Sequence, residues 1–134
     1  MASGIYNRFK ANLMNKVVDL EADTIKVMLM SSSHSFAATN NVIGDVSTNQ
    51  VSGTGYTSGG AALGSKAVTQ AATTKFDAAD TEWTTVTVTT SHAVIYDETA
   101  TSNLIASLDF GGSQVMVGVD FTIAWNAAGI ITLA

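Results

Sequence analysis

The sequence predicts a mainly β fold, an antiparallel β-sandwich or barrel-like domain with one short N-terminal helix. Three observations predict it. Val119, Phe121, Ile123 and Trp125 alternate with Asp120, Thr122, Ala124 and Asn126, the period-two pattern of a half-buried strand. Residues 84–97 are almost all β-branched or aromatic, side chains that pack well on a pleated surface. Turn-forming residues separate such stretches at short intervals, and strand after strand at that spacing builds antiparallel sheets.

Taken in order, Ile5, Tyr6, Phe9, Leu13 and Met14 recur at helical spacing, so a helix is predicted over 4–16, with Ser3 as its N-cap. A polar turn follows at 19–23. Residues 24–30 are β-rich and apolar apart from Lys26, as in a central strand covered on both faces, with Lys26 snorkelling or marking an exposed side. Residues 31–60 crowd Ser, Asn and Gly into the longest irregular segment, with a helical turn expected near 42–46. Loops of that length are commonly functional, which makes it the first choice for an interaction surface. Two modest strands are expected within 61–69 and 73–78, then an acidic turn before Trp83. Residues 84–97 exceed one ordinary strand, so a bulge or bend is expected near Ser91 and His92. A turn at 98–103, a strand at 104–110 and a flexible connection at 111–118 lead to a terminal hairpin. In that hairpin, 119–125 and 130–134 flank a turn at 126–129, with Phe121, Ile123 and Trp125 facing inward.

Composition narrows the function. A chain of 134 residues suits one domain, 1–134, and folding at this size hides about two-thirds of the surface an extended chain exposes. With no Cys, a disulfide framework, a thiolate metal site and a Cys nucleophile are all excluded. Apolar runs fall far short of the roughly 20 residues that span a bilayer, and no signal-peptide pattern is visible, so the mature chain is expected to begin near Met1. Net charge is −5 with six basic residues, which argues against nucleic-acid binding. Four of those six, Arg8, Lys10, Lys16 and Lys26, precede residue 27; they form either a solvated helix face or a basic docking patch for an acidic partner. Charged residues at 13% against 46% apolar suggest that partners cover part of the surface.

No stretch spells out a reaction. The glycines of 53–60 end in Ala61 rather than the Lys and Ser or Thr of a phosphate loop, and the reading is a tight loop around a packed Tyr56. His34 and His92, the two imidazoles, lack metal or triad spacing. His92 reads as an ordinary sheet histidine and His34 as an exposed or interface one. Asp77, Asp80 and Glu82 lack the spacing of a calcium loop. Trp125 reads as core, while Trp83 could anchor a subunit interface.

Several segments together carry a resemblance: Tyr6-Asn7-Arg8-Phe9, Asp23-Thr24-Ile25-Lys26-Val27, the 53–60 loop, Ala93-Val94-Ile95-Tyr96-Asp97, Leu104-Ile105-Ala106, Asp109-Phe110-Gly111 and Asp120-Phe121-Thr122-Ile123-Ala124-Trp125. In order and spacing they resemble a family of small tailed-bacteriophage virion structural proteins, and among these the capsid decoration (cement) proteins. The resemblance implies a non-enzymatic protein without cofactor or metal, made in the bacterial host cytoplasm and carried on the capsid surface of the virion. Its partners would be the major capsid protein and itself, as a homo-trimer, with no nucleic acid and no membrane. Contact residues expected on this reading are Tyr6, Arg8, Phe9 and Lys10 on the helix, His34, Phe36 and Tyr56 in the long loop, Trp83, and Val115 and Met116. The last two lie in a stretch, 112–118, more apolar than a loop requires. The competing expectation is a tail or fibre module that binds a host-surface glycan through loop aromatics and acids, with binding lost on Trp83→Ala.

Overall fold

The computed structural model describes residues 3–134. In chain order the elements are β1 (Gly4–Ile5), α1 (Asn7–Met14), β2 (Ile25–Met30), two 3-10 turns (Ile43–Asp45 and Ser47–Asn49), β3 (Ala61–Ala62), β4 (Ala67–Thr69), β5 (Thr74–Asp77), β6 (Thr81–Asp97), β7 (Asn103–Ile123) and β8 (Ile131–Leu133). One sheet runs β1-β7-β6-β2-β3 and a second β4-β5-β8, with every pair antiparallel. The protein is therefore mainly β, sandwich-like, and not a closed barrel.

The first sheet is covered on both faces where β2 lies. Alternation along β2 sends Ile25, Val27 and Leu29 to one side, where Ala93, Ile95 and Ile105 join them under Phe9 and Phe76. Met28 and Met30 point the other way, with Val94, Tyr96 and Leu104, beneath Tyr6 and Val46. This double cover explains the unbroken apolar run at 27–30, because a strand buried on both faces has no solvent side to mark with polar residues. At the other end of the β6–β7 pair only alternate residues are buried. Trp83, Val86 and Val88 face the core while Thr84, Thr87 and Thr89 face solvent.

The structure corrects several sequence expectations. The helix is shorter than 4–16: Gly4 and Ile5 pair with Ser107 and Ala106, so helix begins only at Asn7, after an uncapped Tyr6. Ser3 does not cap it; its Oγ accepts a hydrogen bond from the Asp109 amide at 2.9 Å. The helical stripe is only half used, since Tyr6 and Phe9 are buried whereas Met14 is 90% exposed. The connection at 111–118 is strand, the middle of β7. Gly111, Gly112 and Gly118 all have positive φ, and they serve as bulges that keep two unequal strands paired. The terminal hairpin is not a hairpin: β8 pairs with β5, because the turn at 126–129 carries the chain to the other sheet. Of the residues expected to face inward, Ile123 is buried and Phe121 and Trp125 are half-buried against the core, while Val119 is half exposed. The break expected near Ser91 and His92 is present as a register shift between Thr90 and His92.

Burial orders the mutational costs. Ile95→Ala, at a site with no exposed surface, is expected to cost about 2–5 kcal/mol through lost transfer energy and a cavity. Val117→Ala, 73% exposed, should stay within about 0.5 kcal/mol. Urea denaturation of the two variants checks the contrast.

Candidate functional site

The long segment chosen first as an interaction surface is fastened to the sheet. Tyr56 sits half-buried beside Trp83; its Oη accepts from the Leu29 amide at 3.1 Å and donates to Gln50 Oε1 at 2.8 Å. Burial pushes this phenol up to about 12, so it stays a donor throughout the ordinary pH range. Gln50 Oε1 also accepts from the Gly59 amide, and Tyr96 Oη donates to the Gly59 carbonyl at 2.6 Å. Gly60, with φ near +82°, passes so close to the Val27 carbonyl that a Cβ would clash with it. The glycines thus permit a close approach of backbone to sheet, and no anion cradle is formed.

Folding assembles polar groups that spacing along the chain kept apart. His34 and His92 meet edge to face, ring centres 5.3 Å apart. His34 Nε2 lies 2.9 Å from Ser107 Oγ, and His92 Nδ1 lies 3.8 Å from Asp109 Oδ1. A serine, two imidazoles and a carboxylate in one place suggest acyl-transfer chemistry, but access forbids it. His34 is 1% exposed and Ser107 2%, so no substrate carbonyl reaches that hydroxyl. His34 is therefore not the exposed or interface histidine expected; it pins the 31–36 segment onto the sheet. Burial, and after it His92, holds its pKa below the ordinary histidine value.

A buried carboxyl with a half-buried partner lies further along the same end of the ribbon, beside the turn that joins β6 to β7. Asp97, fully interior, accepts from the Ala100 amide at 3.0 Å. Burial, and next the Asp23 carboxyl, push it up to about 7, while Asp23 is lowered chiefly by its hydrogen bond with Asp97. The acids of the expected surface turn have structural uses. Asp80 Oδ1 accepts from the Trp125 amide, Glu82 Oε2 from the Thr122 hydroxyl, and Asp77 Oδ1 from the Ala78 amide. No cluster of three metal-ligating side chains occurs among the described residues.

Of the ten expected contact residues, Tyr6, Phe9, His34, Trp83 and Met116 are interior and hold the fold together. Trp83 stacks on Phe121 at 5.9 Å between ring centres, which removes it as an interface anchor. Phe36 and Tyr56 are half-buried. Arg8, Lys10 and Val115 remain exposed; Arg8 Nε donates to Asn41 Oδ1 at 3.3 Å, and Lys26 pairs with Glu98 at 2.7 Å. The strongest apolar exposure on β7 is Val115 and Val117, 67% and 73%. Val117 belongs to the same 112–118 stretch as Val115, the one more apolar than a loop requires. An apolar groove of about 610 Å³, lined by Leu13, Val17, Phe76 and Leu133 among others, lies between α1 and the second sheet. No family model, no curated protein and no solved structure matches this chain.

Two outcomes follow from these polar contacts. Tyr56→Phe strands the Leu29 amide and leaves Gln50 Oε1 with the Gly59 amide alone, and should cost about 1–3 kcal/mol in urea denaturation. For Asp97 the folded pKa is raised, so its contribution is full below the unfolded value near 4 and is lost as pH rises to about 7. Asp97→Asn should therefore flatten the fall in melting temperature across that window and melt higher than the parent at pH 8.

Proposed function

We propose that this protein is a non-enzymatic virion structural protein of a tailed bacteriophage, a capsid decoration protein that lies on the outer head shell and joins copies of itself there. The observation that carries the self-association is the outer edge of β7, which bears exposed Val115 and Val117 in a stretch, 111–119, without a charged residue. Soluble proteins seldom leave such an edge uncovered. The burial of the His34–Ser107 contact supports a non-enzymatic role. Arg8 and Lys10, exposed on α1, offer cations to an acidic patch of the major capsid protein. The resemblance implies a three-fold ring; the lengths of the free strand edges favour a two-fold pair. The glycan-binding alternative loses Trp83 as a stacking surface, because that side chain is 6% exposed.

The test is binding of purified protein to expanded capsids of the phage that encodes it. Saturable occupancy is expected, reduced by Arg8→Glu with Lys10→Glu. Absence of binding at every concentration would sink the capsid reading, and unchanged occupancy in the double variant would clear the helix of the contact.

A further inference from the structure

The β7 strand is paired on its outer side only near its start, where Ala106 and Ser107 meet β1. Beyond Ser107, among the described residues, no strand covers that side. The edge is not uniform. Gln114, Val115 and Met116 run in unbroken register with Thr90, Thr89 and Val88, and register shifts lie on both sides of this run. Gly111 and Gly112 before it, and Gly118 after it, hold positive φ. Bulges of this kind twist an edge away from pairing, so they blunt both ends and leave residues 113–117 between the glycines as a window centred on the regular run.

We propose that this window joins two copies of the chain across a two-fold axis, residues 113–117 pairing antiparallel with the same residues of the second copy. Length selects this occupant. The other outer strands, β1, β3, β4 and β8, have two or three residues each, too short to fill the window, whereas the window matches itself and an isologous contact closes on itself. Charge selects it too. Two copies of a protein carrying −5 repel, and the window lies within a stretch where no charge of one copy would be set against a like charge of the other. The bulges fix the register. With the axis at Val115, that residue faces its own counterpart, Gln114 faces Met116, and Ser113 faces Val117. A shift of two residues drives a glycine bulge into the ladder. The side chains of Val115 and Val117, beside Thr87 and Thr89 on the solvent face, then meet across the seam and lose their exposure to water.

A contact this short is weak in dilute solution and strengthens where a surface holds copies close together. The inference extends the self-association part of the proposed function and is independent of the capsid.

The chain has no cysteine, so Val115→Cys introduces a single thiol. Antiparallel neighbours lie about 4.5–5.5 Å apart at Cα, within reach of a disulfide. Under mild oxidation this variant should form a covalent dimer roughly tenfold faster than Val68→Cys, an exposed control on β4, because the thiols are held together. The unsubstituted protein should sediment as a concentration-dependent monomer and dimer. Val117→Lys should shift it to monomer with an unchanged melting temperature, since that side chain is outside the core. A monomer at every concentration, a trimer, or Val115→Cys linking no faster than the control would overturn the proposal. A dimer that fails to bind capsids would leave it standing and remove only the capsid reading.

Discussion

The ladder between β6 and β7 is the constraint on which the rest of the structure depends. β6 receives β2 at its buried end, β7 receives β1, and both apolar clusters are built on the faces of this one ribbon. A long antiparallel pair cannot stay in simple register while it also twists over a core. It relaxes through four register shifts and through glycines with positive φ on β7. The same shifts that keep the ribbon paired also divide its free edge, so the geometry that stabilises one copy defines what it can offer to another.

Burial is distributed unevenly along that ribbon. Where β2 lies alongside, backbone and side chains are sealed from both sides, and polar groups taken inside are held at one atom each, His34 Nε2 by Ser107 and Asp97 Oδ1 by the Ala100 amide. Such groups cost free energy unless they are satisfied, and they fix how the 31–36 segment and the 97–100 turn dock. Towards Thr81 and Ile123 the ribbon is covered on one face only. Stability is concentrated at one end and surface at the other, a division suited to a scaffold that presents an edge.

Period and composition made most of the β architecture legible. The alternation at 119–125, the β-branched run at 84–97 and the apolar run at 27–30 all mark strands that exist. Three features escaped, each for a physical reason. Glycines at 111, 112 and 118 read as loop because a bulge and a turn need the same backbone freedom. The destination of the last strand was hidden because alternation reports which face is buried and not which neighbour is paired. Burial of Tyr6, His34 and Trp83 was missed because the coverings, Phe36 over Tyr6 and Phe121 over Trp83, come from distant parts of the chain. Of the expected contact residues, those on exposed helix and strand faces, Arg8, Lys10 and Val115, are the ones whose environment local pattern could specify.

Hydrogen exchange resolved along the chain tests most directly the claim that one ribbon serves as both core and edge. The account predicts the slowest amides in β2, in β6 from His92 to Asp97 and in β7 from Leu104 to Ser107. It also predicts that the outward-facing amides of 113–117, those not bonded to β6, exchange quickly in dilute protein and slow as concentration rises, while those of β8 do not change. Uniform protection along β7, or fast exchange at 113–117 that ignores concentration, would contradict it.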